Sequence, residues 1–257
     1  ASGSLDKTLR FWHCATGKML REISLDSSAQ AIAFSPVHQR WVTAHRNGQV
    51  CIWDAEQGGY PQSATPIMQW TASASALWSL AISPDGNCVI TGGDNGDLGC
   101  WDTATGKLQK TLPSQPGRIR SIAIDAQGHI ASVSSDRNIQ LWKRTGELVR
   151  TSRGHGAAVQ AVAFHWSQPW LVSIAYDGTA KVWHVETGRC LKTLLSTGSQ
   201  RLDVMALAGN RLMIGSKDQT LQFWDLATER CGRSLQGFVC GANALAFANG
   251  GGVRPLR

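Results

Sequence analysis

The feature that most limits what this chain can become is a ladder of tryptophans. Trp12, Trp53, Trp101, Trp142, Trp183 and Trp224 follow one another at intervals of 41, 48, 41, 41 and 41 residues. Four equal intervals of that length do not arise by chance. A fixed period of this size marks a chain built by stacking one supersecondary unit. The flanks repeat with the tryptophans. Six residues before each stands Asp6, Asn47, Asn95, Asp136, Asp177 or Asp218, in a short polar turn such as Asp177-Gly178-Thr179. Ten residues before five of them stands a small hydroxyl: Ser2, Thr43, Thr91, Ser132 or Ser173. The sixth such position is Ile214. Directly after the tryptophan comes Asp54, Asp102 or Asp225 in three repeats, and His13, Lys143 or His184 in the others.

Each unit reads as four strands. In the repeat that ends on Trp183, Val159–Phe164 is strand a, Trp170–Ala175 strand b, Thr179–Trp183 strand c and Cys190–Leu195 strand d, with turn signals between them. Composition agrees. Eleven Trp against two Tyr, 27 Gly, and only 17% charged residues suit many short strands joined by tight turns. An average soluble domain is roughly 25% charged. No long segment places apolar residues at helical spacing. A lone four-stranded sheet cannot bury both faces, but stacked neighbours can. A tryptophan at the end of each strand c supplies apolar area between them, and its N–H wants a partner. A short turn Asp or Asn accepts from nearby donors.

These residues and their period resemble the WD-repeat β-propeller family along nearly the whole chain. The resemblance implies an all-β fold, a β-propeller of four-stranded antiparallel blades. Six repeats are recognisable, in a chain expected to be a fragment of a seven-bladed or larger propeller. The blades are expected at about 1–25 completed by 242–247, then at 29–72, 77–112, 119–152, 159–195 and 202–236, in a single domain with an irregular tail at 248–257. The chain opens on the end of a strand b and closes on a strand a, so the last strand is placed to complete the first blade and close a ring, which removes exposed sheet edges. The 48-residue interval marks an insertion at Gln57–Pro66, between strands c and d, and its Gly and Pro content reads as a surface loop. The resemblance also implies a hydrogen-bonded network in each blade, made by a His of the d–a loop, the strand-b hydroxyl, the turn Asp and the Trp. The complete set occurs once, as His155, Ser173, Asp177 and Trp183. Elsewhere the aligned His position holds Leu25, Ser73, Gln115, Gly198 or Phe238.

Several function classes fall away. An apolar share of 42% and a low charge content argue against disorder. No apolar stretch approaches the roughly 18 residues of a membrane helix, so no membrane insertion is expected, and no secretory signal is visible. The seven cysteines are scattered, without a Cys-x-x-Cys pair. They read as free thiols of a reducing cytoplasm rather than as zinc ligands. No His-Glu-x-x-His, phosphate-cradling loop or Gly-x-Ser-x-Gly elbow occurs. The expectation is a protein that is not an enzyme, with no cofactor and no metal.

What remains is binding. In the resembled family the b–c and d–a loops line one face. The position before the turn Asp or Asn reads Leu5, Arg46, Asp94, Ser135, Tyr176 and Lys217. A second lining position, after the first apolar residue of strand a, reads Gln30, Trp78, Arg120, Gln160, Asp203 and Asn243, and two residues earlier stand Arg118 and Arg201. The candidate partner-binding residues are therefore Arg46, Trp78, Asp94, Arg118, Arg120, Tyr176, Arg201 and Lys217. Arginine and aromatic residues dominate binding hot spots, and guanidinium forks pair with carboxylate and phosphate. The reading is a non-catalytic, monomeric scaffold for a protein or peptide partner carrying acidic or phosphorylated groups. Two alternatives stand beside it. One is nucleic-acid binding through the basic surface, since 25 Lys and Arg against 18 Asp and Glu leave a net charge of +7. Against it, the basic residues are spread over all repeats. The other is a sensor or scaffold module within a larger signalling protein.

Overall fold

The structure is a computed structural model, and it describes residues 1–55, 59–195, 201–236 and Leu245. Among these residues there are strands, turns and bends but no helix. The chain divides into two compact units. One is Ala1–Gly128, and the other begins at His129. The division falls inside the repeat expected at 119–152.

In the first unit, the first sheet holds β1 (Ser2–Gly3), β2 (Thr8–Trp12) and β3 (Met19–Ser24). The second holds β4 (Ala29–Ser35), β5 (Arg40–His45), β6 (Gln49–Asp54) and β7 (Met68–Thr71). The third holds β8 (Leu77–Ile82), β9 (Cys88–Gly93), β10 (Leu98–Asp102) and β11 (Leu108–Leu112). The unit ends with β12 (Ile119–Ile124). The second unit opens with β13 (Ile130–Ser134), β14 (Ile139–Trp142) and β15 (Leu148–Ser152) of the fourth sheet. The fifth sheet is β16 (Val159–Phe164), β17 (Trp170–Ala175), β18 (Thr179–His184) and β19 (Cys190–Leu195). The sixth is β20 (Leu202–Ala208), β21 (Arg211–Ser216), β22 (Leu221–Asp225) and β23 (Arg230–Leu235). Chain neighbours pair antiparallel, so each sheet is a meander. These are all-β propeller blades. In the fifth sheet strands a, b and d have the expected bounds, and strand c runs one residue further, to His184. The strand expected at 242–247 lies, apart from Leu245, outside the described residues, as does the tail at 248–257.

The core sits between neighbouring sheets, because each sheet carries apolar residues on both faces. Leu9, Phe11 and Ile23 of the first sheet pack with Cys51 and Trp53 of the second. Val42, Ala44, Val50 and Ile52 of the second pack with Leu77, Leu80 and Val89 of the third. In the other unit Val172, Ile174, Val182 and Leu194 pack with Leu202, Leu212, Ile214 and Trp224. Each large side chain buried this way stabilises by about 1.5–3 kcal/mol.

Polar contacts reinforce the same junctions. The outer strand of one sheet carries a cation that grips backbone carbonyls in the c–d turn of the next. Arg21 donates to the Gln62 carbonyl at 2.9 Å. Arg150 donates to those of Glu186 and Thr187, both at 2.6 Å. Lys192 donates to that of Leu226 at 2.8 Å. Between the second and third sheets Trp70 takes this place, its ring against Gly106.

The inserted loop is less free than its composition suggests. Its residues 57 and 58 lie outside the described residues, but Tyr60 packs into the Phe11 and Trp53 cluster. Trp41 donates its indole N–H to the Gly59 carbonyl at 2.9 Å. The cysteines also depart from expectation. Cys88 and Cys100 form a disulfide across the adjacent strands β9 and β10, with Cα atoms 6.3 Å apart. Free thiols are found at Cys14, Cys51, Cys190 and Cys231, and Cys240 is outside the described residues. The ladder sets Cys100 opposite Ile90 and Asp102 opposite Cys88, so only the hairpin register brings the two sulfurs together. Burial pushes the Cys51 thiol up to about 11, which keeps it unreactive.

Candidate functional site

The site residues stand where b–c turns meet d–a loops, and the turns themselves come first. In all six the Asp or Asn side chain folds back on the residue two further on. Asp6, Asp177 and Asp218 accept from the backbone N–H of Thr8, Thr179 and Thr220 at 2.9, 3.0 and 3.2 Å, and Asn47, Asn95 and Asp136 do the same for Gln49, Asp97 and Asn138. The next residue is always left-handed: Lys7, Gly48, Gly96, Arg137, Gly178 and Gln219 have φ between 62° and 86°. Glycine is required where the loop comes closest. A Cβ on Gly48 would stand 1.9 Å from the Ser73 carbonyl oxygen, and one on Gly96 1.8 Å from that of Gln115.

This closeness is a set of hydrogen bonds. The N–H of the residue before the turn Asp or Asn donates to the loop that leads into strand a: Arg46 to Ser28, Asp94 to Ala76, Tyr176 to Ala158 and Lys217 to Arg201, at 2.9–3.2 Å. On the other side, Ala72 N donates to the Gly48 carbonyl and Gln115 N to that of Gly96, at 2.9 and 3.0 Å. In the second and third sheets a turn is thus tied to the loops both before and after it. Strand a contributes a bulge. Its register against strand b slips between Ala29 and Ala31, Leu77 and Ser79, Val159 and Ala161, and Leu202 and Val204. The residues skipped are Gln30, Trp78, Gln160 and Asp203, four of the second lining positions. A bulge re-aims a side chain out of the ladder.

Below the turns lie the tryptophan networks. The indole N–H donates to the hydroxyl ten residues earlier at 2.8–3.0 Å: Trp12 to Ser2, Trp53 to Thr43, Trp101 to Thr91, Trp142 to Ser132 and Trp183 to Ser173. Trp224, whose tenth predecessor is Ile214, donates instead to Gln222 Oε1 at 3.1 Å. The expected four-residue set is complete in the fifth sheet. His155 Nε2 meets Ser173 Oγ at 2.7 Å, and His155 Nδ1 meets Asp177 Oδ2 at 3.0 Å. With the proton on Nδ1, Trp183 donates to Ser173, Ser173 to His155 and His155 to Asp177, so every member is satisfied.

Sequence reasoning missed a second network. In the second sheet Trp53 donates to Thr43, Thr43 donates to His45 Nε2 at 2.8 Å, and His45 Nδ1 donates to the Ser27 carbonyl at 3.0 Å. This histidine comes from strand b, not from the d–a loop. The signal was present, since residues two apart on a strand share a face.

Burial lowers the pKa of His155, outweighing the charge and hydrogen bond of Asp177. Burial lowers that of His45 as well, against the Ser27 carbonyl and Asp26. For Asp177 burial acts upward, but the hydroxyl and N–H of Thr179, the N–H of Gly156 and the charge of His155 hold it below the usual carboxylate value. The sign for stability follows. Above pH 6.5 both folded and unfolded chains carry neutral imidazoles, and these groups take nothing away. Below it the unfolded chain binds protons that the buried rings refuse, so stability falls with pH. The Asp177 contribution persists until pH drops below 3.8. Denaturant midpoints measured at pH 7.5 and 5.5 should fall further for the wild type than for the H45Q/H155Q variant.

Contacts join six of the eight candidate binding residues in two clusters, Trp78 with Asp94 and Arg118 in the first unit and Tyr176 with Arg201 and Lys217 in the second. In the first unit the Arg118 guanidinium lies over the Trp78 ring, 4.0 Å from its centroid, and pairs with Asp94. The Trp78 indole N–H is buried without an acceptor among the described residues. Arg46 is exposed on the turn of the second sheet, and Arg120 is half-buried on β12. In the second unit the Arg201 guanidinium lies 3.9 Å from the centroid of Tyr176, and the Arg201 carbonyl receives the N–H of exposed Lys217 at 3.2 Å. In both clusters an arginine of the loop leading into one sheet covers an aromatic ring of the sheet before. Among the described residues no group of three or more His, Cys, Asp or Glu gathers to hold a metal, and no helix is long and apolar enough to cross a membrane.

The profile of the family "WD domain, G-beta repeat" matches residues 18–54, 64–102, 106–143 and 146–184. Each matched segment runs from the outer strand of one sheet through the tryptophan of the next. Among curated proteins, the chain is similar to nuclear distribution protein nudF of Aspergillus niger, 32% identical over 169 residues, covering 63% of this chain and 38% of that protein. It is similar to autophagy-related protein 16 of Arabidopsis thaliana, 29% identical over 177 residues, covering 67% of this chain and 35% of the relative. It is also similar to the periodic tryptophan protein 2 homolog of Mus musculus, 24% identical over 250 residues, covering 79% of this chain and 26% of the relative. The matches thus span between 26% and 38% of these relatives' lengths.

Proposed function

The chain belongs to the WD domain, G-beta repeat family, and from that premise we propose that it binds a protein or peptide carrying acidic or phosphorylated groups at the junctions of its b–c turns and d–a loops. Members of this family are in general protein-interaction scaffolds without catalytic chemistry. The observation that carries the finer reading is the recurrence of an arginine stacked on an aromatic ring at those junctions, Arg118 on Trp78 and Arg201 on Tyr176. Stacking holds a guanidinium flat, and a guanidinium fork pairs with a carboxylate or phosphate. Arg46 and Lys217 add exposed charge at the same turn position.

The basic excess does not favour nucleic acid. Arg21, Arg150 and Lys192 are engaged by backbone carbonyls, and Arg10, Arg118 and Lys143 by carboxylates. The scaffold is proposed to act as a monomer and as a module of a longer chain, in keeping with relatives much longer than the matched segment. A cytoplasmic setting is the reading that the free Cys14, Cys51, Cys190 and Cys231 support, with the Cys88–Cys100 bridge as the exception.

The test is a pull-down from lysate after nuclease treatment at moderate salt, comparing the wild type with W78A/R118A/R120A and with Y176A/R201A. A protein partner retained by the wild type should drop at least tenfold, about 1.4 kcal/mol, with one or both variants. Unchanged retention by both variants would sink the site assignment. Loss of all partners with nuclease would favour nucleic acid instead.

A further inference from the structure

Arg118 is the residue on which a partner's anion is expected, and a carboxylate of the chain itself already holds it. Arg118 Nε donates to Asp94 Oδ1, while the guanidinium lies over Trp78. Asp94 is not part of the turn's own fold-back. That task belongs to Asn95, which also holds the other carboxylate of the turn, Asp97. In the fifth sheet the position of Asp94 is occupied by Tyr176, the ring over which Arg201 lies. A carboxylate at this position is therefore not needed to build the junction. Its backbone N–H bond to the Ala76 carbonyl is one that Arg46 and Tyr176 also make at this position.

Resting on the proposed reading of this site, we infer that Asp94 is a built-in competitor that holds Arg118 against an incoming phosphorylated segment and sets the affinity threshold of the site. The side chains of Arg118 and Asp94 are 33% and 42% exposed. An ion pair this open is weak, and removing it frees the guanidinium at a gain of about two- to five-fold in affinity. Asp94 also repels a phosphate, which carries nearly two charges and three acceptor oxygens. A phosphoserine can displace the carboxylate because it offers the same fork more charge. It does so against an opponent held in place by the fold.

The experiment is fluorescence polarisation with a labelled peptide bearing two phosphoserines among glutamates, on wild type, D94N and D94N/R118A. Thermal unfolding of each variant serves as the control for folding. D94N is expected to bind about two- to fivefold tighter than wild type, and D94N/R118A to lose that gain. Equal binding by wild type and D94N overturns the competitor and leaves the binding site standing. A gain that survives in D94N/R118A also overturns it, since the gain then does not pass through Arg118. Binding by none of the three overturns both the competitor and the acidic-partner reading on which it rests.

Discussion

Replacing Trp183 by Ala is expected to destabilise the protein by about 3–5 kcal/mol, the range for emptying a buried aromatic site. Its side chain is buried at 2% exposure. Its N–H starts the chain of donors that runs through Ser173 and His155 to Asp177. The variant therefore loses packing and also a donor to a buried hydroxyl, and the second loss is not recovered from solvent. Trp12 occupies the same place in its repeat and makes the same bond to Ser2, but it is 39% exposed. Trp12→Ala should cost only about 1 kcal/mol, near the centre of ordinary substitutions. Urea denaturation of the two variants separates the effects. Equal losses would mean that the tryptophans act through something other than burial.

The second large effect is expected at Gly96. Its φ is +86°, and an added Cβ would meet the carbonyl oxygens of Gln115 at 1.8 Å and Gly117 at 2.9 Å. Alanine must therefore adopt a left-handed backbone and also push away the loop that its own carbonyl accepts from, at Gln115 N. The expected cost is about 3 kcal/mol. Gly17 supplies the comparison. It is also left-handed, at +69°, but a Cβ there meets nothing within 4 Å. Gly17→Ala should show only the conformational part, about 1 kcal/mol. If Gly96→Ala costs no more than Gly17→Ala, the loop yields freely and the junction is soft. The left-handed Lys7, Arg137 and Gln219 at the equivalent turns show that the backbone conformation alone admits a side chain.

What could be read from the sequence was whatever depends on one repeat. The strand bounds of the fifth sheet, the indole-to-hydroxyl bonds and the turn carboxylates are all contacts at short, fixed separation. The departure at Ile214 was visible too, although its remedy at Gln222 was not. What escaped involves two loops or two strands whose register the pattern does not state. Cys88 and Cys100 meet because of a ladder. Arg118 meets Asp94 because a d–a loop is tied to a b–c turn. Tyr60 was hidden in a stretch that composition marks as a loop, yet an aromatic ring beside Phe11 and Trp41 gains more by packing than by solvation. His45 was overlooked for another reason. The family pattern directs attention to the d–a loop, whereas the chemistry only asks for an imidazole within reach of Thr43. The arginines of the candidate site were legible as positions. Their stacking on Trp78 and Tyr176 was not, since it depends on where the loop before each strand a is fixed.

The cations that join one sheet to the next have a consequence for how such a chain changes over generations. Arg21, Arg150 and Lys192 each hold main-chain carbonyls of the following turn. A carbonyl is present whatever side chain the turn carries. At Arg21 and Arg150 the donor sheet therefore recognises the shape of its neighbour's backbone whatever side chains the turn carries, while Lys192 adds to its carbonyl bond an ion pair with Glu229 of the same turn, at 2.9 Å. A duplicated or exchanged repeat arrives with its acceptors already in place, and no second substitution has to accompany it. Matched pairs of charged side chains would have tied each repeat to one particular neighbour. Fastening through the backbone leaves the side chains of the gripped turns free to diverge: Gln62 in one, Glu186 and Thr187 in another and Leu226 in a third present the same acceptor to the cation of the sheet before.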